Sequence, residues 1–223
     1  MCDIPKNSII YNTEQLSYPP SPIAIPLLPI IVQFQAWDYS KSNIKFLSQL
    51  AMAHPPQYVP IGFVPKLCRI PAAPLQDIDV LFYGYLNPRR AQILQALAAR
   101  NLQVYHAIDC YGQERDALIA RAKVVLNVHY YESKIFEIVR VSYLSANRKA
   151  VVSEVDVDTD IDPMYQQAIV GVPYNELVET CYQLVHDPVR RKQQEETGFT
   201  TMSAITAEDC MRPAVDAILN KIK

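Results

Sequence analysis

The spacing of hydrophobic positions changes character near Asp79. Beyond it, short apolar runs alternate with stretches whose apolar residues recur every three or four positions. The pairs are DVLFYG then RRAQILQALAARN, LQVYHAI then QERDALIARA, KVVLNVHYY then SKIFEIVRVSYLSANR, KAVVSEV alone, and AIVGVPY then NELVETCYQLVHD. Continuous apolar runs predict strands buried on both faces, and the helical spacing predicts amphipathic helices between them. This alternation predicts an α/β fold built on a parallel sheet with helices on both faces. From Val189 to Lys223 the pattern is helical, with one interruption near Gly198.

Residues 1–75 have another texture. They hold Pro19, Pro20, Pro22, Pro26 and Pro29, then Pro55, Pro56, Pro60 and Pro65. Among them SIIYNTEQL predicts a short strand and a turn. VQFQAWDYSKSNIKFLSQLAMAH predicts a strand or turn leading into a helix from about Ser42, and YVPIGFVP another short strand. RIPAAPLQD, with Pro71 and Pro74, reads as a linker. The expected organisation is an incomplete N-terminal domain over 1–75 and a sheet domain over 76–223.

Composition narrows the function. The chain has 223 residues, half of them hydrophobic, and a formal net charge of −2. That balance offers no bulk basic field for a nucleic acid, so any phosphate recognition has to be local. Five scattered cysteines without a C-x-x-C pair read as reduced thiols rather than a disulfide framework or a metal site. The longest apolar stretch, Ile23 to Val32, is broken by Pro26 and Pro29 and is too short to span a bilayer. With no signal peptide at its start, the chain reads as cytoplasmic. None of the five glycines is spaced as in a dinucleotide fingerprint or a phosphate-binding P-loop, which argues against a dehydrogenase or a P-loop NTPase. No cofactor is expected.

In an open parallel sheet, ligands bind beyond the carboxyl ends of the strands. The first such place is GYLNPRR, Gly84 to Arg90. Asn87 suits an N-cap and Pro88 the first helical position. Arg89 and Arg90 then stand where the helix dipole disfavours cations unless an anion neutralises them. The competing reading is two solvated arginines on a surface helix. The second place is LNVHYYESKIFEIVR. It gathers Asn127, His129 and Glu132 near a strand end, with Glu137 and Arg140 at the start of an apolar helix. A carboxylate there can accept both hydroxyls of a ribose; the alternatives are a Glu137–Arg140 ion pair and a hydrogen-bonded core histidine. The third is CYGQERD, where Tyr111 can stack on a base or sugar, or simply precede a capped helix. The fourth, SEVDVDTDIDP, has five acidic residues from Glu154 to Asp162. It lacks the glycine and closing glutamate of a calcium loop and reads as a solvated acidic loop.

Taken in order, NTEQL, WDYSKSN, VPIGF, DVLFYGYLNPRR and YGQERDALIARAKVVLNVHYYESKIFEIVRVSYLSANRKAVVSE resemble bacterial glycosyltransferase-like proteins of GT-B fold. They are similar to the group-1 and spore-coat-type glycosyltransferases over residues 8–190. The resemblance implies two Rossmann-like domains facing a cleft, the C-terminal one binding a nucleotide-sugar donor and the N-terminal one contributing the acceptor side. It places the donor diphosphate at Gly84, Asn87, Arg89 and Arg90. It places the donor ribose and sugar at Glu137, with Arg140 and Tyr111 alongside, and puts His129 and Glu132 in catalytic positions. It implies sugar transfer without a metal to an unidentified glycan, protein or small-molecule acceptor, leaning towards retention. The sequence departs from the family in two respects. Four residues, not seven, separate Glu132 from Glu137, and the N-terminal domain is shortened. That shortening implies a natural short form, a fragment, or half of a split enzyme whose cleft a second chain completes. The competing functions are a non-catalytic nucleotide-sugar-binding or protein-interaction module, and a flavodoxin-like or receiver-like domain. The absence of an acidic pair after the first strand weighs against a receiver.

Overall fold

The computed structural model describes residues 4–16, 24–131 and 133–222. Two compact units result, one formed by Met1–Gly62 with Ala207–Lys223, the other by Phe63–Thr206.

The first unit begins with β1 (Ile9–Asn12), α1 (Leu28–Ile31), β2 (Gln35–Asp38), α2 (Lys41–Leu47) and β3 (Gln57–Tyr58). The three strands are parallel in the order β1-β2-β3, with Tyr11 opposite Trp37 and Trp37 opposite Gln57. Ser40 caps α2 by accepting the Asn43 N–H at 3.2 Å, which satisfies one of the free amides at a helix start. Leu16, Ala24, Ile31, Ala36 and Leu47 form its buried core.

The second unit carries β4 (Ile78–Tyr83), α3 (Pro88–Ala98), β5 (Val104–Ala107), α4 (Gly112–Arg121), β6 (Ala122–Asn127), α5 (Ile138–Ala146), β7 (Ala150–Glu154), β8 (Val170–Val172), α6 (Leu177–His186) and α7 (Pro188–Ser203). Its five strands are all parallel in the order β5-β4-β6-β7-β8. The expected α/β sheet is therefore present. Alternate strand residues point to opposite faces. On one face Val80, Phe82, Val124, Leu126 and Val152 pack with Ile93 and Leu97 of α3 and Leu177 and Leu184 of α6. On the other, α4 packs against β4 and β6, and α5 against β7. Each such buried aliphatic or aromatic side chain contributes about 1.5–3 kcal/mol of transfer free energy. RIPAAPLQD has no regular structure. Its start is pinned to the end of α5, where Asn147 Oδ1 accepts the N–H groups of Arg69 and Ile70 at 2.8 and 2.9 Å.

Two expectations change. The helical C-terminal segment is not interrupted at Gly198, which lies buried inside α7; the chain breaks at residues 204–206 instead. Gly198 is there for packing, since a Cβ would come within 2.9 Å of the Ala168 carbonyl oxygen. After the break, α8 (Ala207–Ile222) belongs to the first unit, not to the strands that precede it in sequence. Its Met211, Ala214 and Ile218 pack with Trp37, Val59 and Tyr11.

Candidate functional site

The sheet order defines where a ligand can enter. From β4 the chain moves through α3 to β5 on one side, then returns through α4 to β6 on the other. Because the two crossovers run in opposite directions, their helices leave the sheet on opposite faces and open a crevice at the carboxyl ends of β4 and β6. The loops after these two strands carry Gly84–Asn87 and Val128–Tyr130.

Asn87 caps α3 as the sequence predicts. Its Oδ1 accepts the Arg90 N–H at 2.9 Å, and its Nδ2 donates to the Tyr130 carbonyl at 3.2 Å across the crevice. Gly84 adopts φ +130°, a conformation that favours glycine. A Cβ there would lie 3.4 Å from Arg140 Nη2 and 3.8 Å from Arg90 Nη1.

The two arginines differ in their access to water. Arg90 is only 4% exposed. Its Nη1 donates to the Tyr85 carbonyl at 2.9 Å, its Nη2 to the Val128 carbonyl, and the guanidinium lies between the rings of Phe82 and Tyr130. Burial pulls its pKa down to about 10, so it stays charged at neutral pH. Arg89 forks onto Glu154 through both terminal nitrogens and stacks 3.9 Å from the Tyr174 ring. The reading as solvated arginines is overturned for Arg90, which the β4 and β6 loops enclose, while Arg89, with a side chain 37% exposed, is paired with the buried carboxylate that ends β7.

Glu137 stands at the N-terminus of α5 as expected. Its Oε2 accepts from Asn127 Nδ2 at 2.6 Å and lies 3.6 Å from His129 Nδ1, and its Oε1 is 3.5 Å from Arg90 Nη2. Burial pushes the Glu137 carboxyl up. The interaction with His129 and the charges of Arg140 and Arg90 outweigh it, holding the group below its ordinary range. Arg140 does not form the i,i+3 ion pair that the sequence allowed; it donates from Nη1 to Asn127 Oδ1 at 3.1 Å and stacks on the Tyr83 ring at 4.8 Å. His129 is 3% exposed, and its Nε2 lies 3.4 Å from Thr159 Oγ1.

One proposed member lies elsewhere. Tyr111 is 70% exposed at the start of α4 and takes no part in this hydrogen-bonded group. Glu132 lies outside the described residues. One member was missed. Glu154, grouped with a solvated acidic loop, is the fully buried last residue of β7, accepting from Arg89 and from the His129 N–H at 3.1 Å. Its signal was its place ending the apolar run KAVVSE. Asp156 and Asp158 behave as the loop reading expects, holding Lys134 at 2.9 and 2.8 Å. Among the described residues there is no His, Cys, Asp and Glu grouping that could hold a metal ion.

Solved structures of similar shape share this architecture. HepE of Anabaena in complex with UDP superposes with a TM-score of 0.63 at 10% identity, covering 95% of this chain and 72% of that one. The same protein in complex with UDP-glucose gives 0.65 at 11% identity, with the same coverage. The chain has the fold of the GT-B glycosyltransferases. An alpha-glucosyltransferase in complex with UDP-glucose and DNA containing an abasic site gives 0.59 at 11% identity, covering 95% of this chain and 72% of that one. In sequence, the chain is 30% identical over 186 residues to the uncharacterized protein L140 of Acanthamoeba polyphaga mimivirus, covering 80% of this chain and 59% of the relative. The uncharacterized protein L138 of the same virus is 29% identical over 150 residues, 66% of this chain and 15% of the relative. The chain thus spans less than two thirds of the length of either of these relatives. No protein-family model matches it. No helix among the described residues is long and apolar enough to cross a membrane.

Proposed function

We propose that the chain carries the donor site of a nucleotide-sugar-dependent glycosyltransferase. The observation that carries this reading is the buried guanidinium–carboxylate group at the crevice between β4 and β6, in a fold whose solved neighbours hold UDP or UDP-glucose. Under it, the donor diphosphate lies over Gly84 at the N-terminus of α3, where free amides and the helix dipole favour an anion. Glu137 accepts the ribose hydroxyls, oriented by Asn127 and His129, so His129 acts as a positioning residue. Glu132 and Tyr111 remain proposed sugar and base contacts. Transfer breaks the bond between the anomeric carbon and the β-phosphate oxygen, and an acceptor hydroxyl oxygen forms the new bond while losing its proton. The leaving diphosphate gains negative charge, and fixed positive groups at the crevice stabilise that charge as it develops, with no metal required. The acceptor is a hydroxyl-bearing molecule, and an acceptor-binding partner chain belongs to the same proposal.

Two measurements test it. Calorimetry with UDP, GDP and ADP reads donor binding, and release of nucleoside diphosphate from UDP-glucose and GDP-mannose reads turnover. At about a hundred times its dissociation constant, a bound diphosphate raises stability by about 2.7 kcal/mol. Binding with turnover supports the enzyme. Binding without turnover, alone or with acceptors, identifies a nucleotide-sugar-binding module. Absence of binding by all three diphosphates ends the donor-site reading.

A further inference from the structure

We infer that Arg140, on the first turn of α5, is the guanidinium that meets the anionic diphosphate, and that Arg89 is a structural brace. This rests on the donor-site reading above and changes which side chain does the binding. Three guanidinium groups border the crevice, and two of them are already committed. Arg90 has Nη1 and Nη2 on the carbonyls of Tyr85 and Val128, tying the β4 loop to the β6 loop. Arg89 has both terminal nitrogens on the buried Glu154, with its face against Tyr174. Withdrawing Arg89 towards a ligand would strand that carboxylate without its cation, which is costly in a dry environment.

Arg140 is placed differently. Nη1 rests on the Asn127 amide oxygen, and its flat face rests on Tyr83, so the group is oriented without a direct ion-pair contact. No carboxylate among the described residues forms an ion pair with it. Nη2 lies over Gly84, at the point where a side chain would intrude between Arg140 and Arg90. Gly84 thus leaves open the space where the two groups converge. A cation in the first turn of α5 also opposes the helix dipole, a conflict that a bound anion removes. Across the crevice, among the described residues, the guanidinium groups of Arg89, Arg90 and Arg140 face the carboxylates of Glu137 and Glu154.

A second, independent observation points to a ligand here. Arg90 Nε is a buried polar atom without a hydrogen-bond partner, on a residue only 4% exposed. Buried donors and acceptors are almost always satisfied, so an unmet donor beside the crevice calls for a partner. The Arg90 side chain flanks Glu137, which puts this unmet N–H beside the ribose–phosphate end of the proposed donor.

Calorimetry decides it. UDP, GDP and ADP are each titrated against the matching nucleoside into wild type and the Arg140→Ala, Arg140→Lys and Arg89→Ala variants. Arg140→Ala should weaken the diphosphate about tenfold or more and leave the nucleoside within about twofold, the loss expected for one charge-assisted contact. Arg140→Lys should recover part of the diphosphate affinity, because it keeps the charge but not the paired geometry. Arg89→Ala should lower the melting temperature and leave the ratio of diphosphate to nucleoside affinity unchanged. Near-UV circular dichroism reports folding; if Arg140→Ala is unfolded, the same ratio in Arg140→Lys decides, a fall below wild type supporting the inference. A wild-type ratio in the folded Arg140 variant overturns it, as does an equal loss of nucleoside, while wild-type donor binding leaves the broader reading standing. If wild type binds none of the three diphosphates, both fall together.

Discussion

Arg89 and Glu154 form a pair whose members differ in their access to water. The Arg89 side chain is 37% exposed and the Glu154 side chain is fully buried. Removing the arginine leaves a carboxylate held by the His129 N–H, in surroundings that penalise an uncompensated charge. Arg89→Ala should therefore destabilise the protein by about 3 kcal/mol, the lower end of the range for a broken buried pair because water reaches the site from the arginine side. An Arg89→Met, Glu154→Met double variant should recover most of that, since neither charge then remains. Denaturant unfolding of the three proteins checks this, and an unchanged midpoint for Arg89→Ala refutes the brace. At this scale the sequence was only partly readable. The capping role of Asn87 was legible because an N-cap depends on residues three apart. The burial of Arg90 was not, because what covers it, Val128 and Tyr130, lies some forty positions away. Glu154 was masked by its company: four further acidic residues follow it, and sequence alone does not mark which one the sheet still encloses.

Among the elements, α7 shows how a local signal misleads. Glycine weakens an isolated helix by about 1 kcal/mol relative to alanine, which makes it look like a break. Here the helix continues, and Gly198 exists for its missing Cβ, with the Ala168 backbone filling that space. Gly198→Ala brings a carbon to 2.9 Å from a carbonyl oxygen that a backbone turn holds in place. Overpacking should cost about 1–3 kcal/mol and exceed the gain in helix propensity. A lowered melting temperature supports this; a raised one would show that propensity wins and that Pro163–Ala168 gives way. Most other elements were legible for a simple reason. The strands of the second unit are buried on both faces and so are written as apolar runs, and the helices between them carry one apolar stripe each.

For the whole molecule, one buried carboxylate ties stability to pH. Asp38, at the end of β2, accepts from Asn12 Nδ2 at 2.6 Å, the Ser40 N–H at 2.8 Å and Asn43 Nδ2 at 3.0 Å. Burial outweighs these bonds and pushes its pKa up to about 7. Between about pH 4, where an unfolded aspartate ionises, and about pH 7, the folded chain keeps a proton that the unfolded chain has lost. The Asp38 contribution is thus fully present below about pH 4 and falls as pH rises, by up to about 1.4 kcal/mol per unit, levelling off above about 7. The difference in unfolding free energy between wild type and Asp38→Asn, measured from pH 4 to 8, should fall across that window. A flat difference refutes the assignment.

The same two asparagines, Asn12 and Asn43, hold the Glu14 carbonyl at 2.8 Å each, so NTEQL and WDYSKSN, far apart in the chain, are parts of one network. By itself the sequence determined the α/β class, the order of strands and helices beyond Asp79, the N-cap at Asn87 and the placing of Glu137 at a helix start. Each of these depends on periodicity or on neighbours within a few residues. Only the tertiary structure decided that β4 and β6 lie side by side, that Arg90 and Glu154 are buried between their loops, and that α8 packs with Trp37 and Val59 instead of the sheet before it. Those outcomes depend on strand order and on which apolar faces meet, and contacts between residues tens to more than a hundred positions apart leave no periodic trace along the chain.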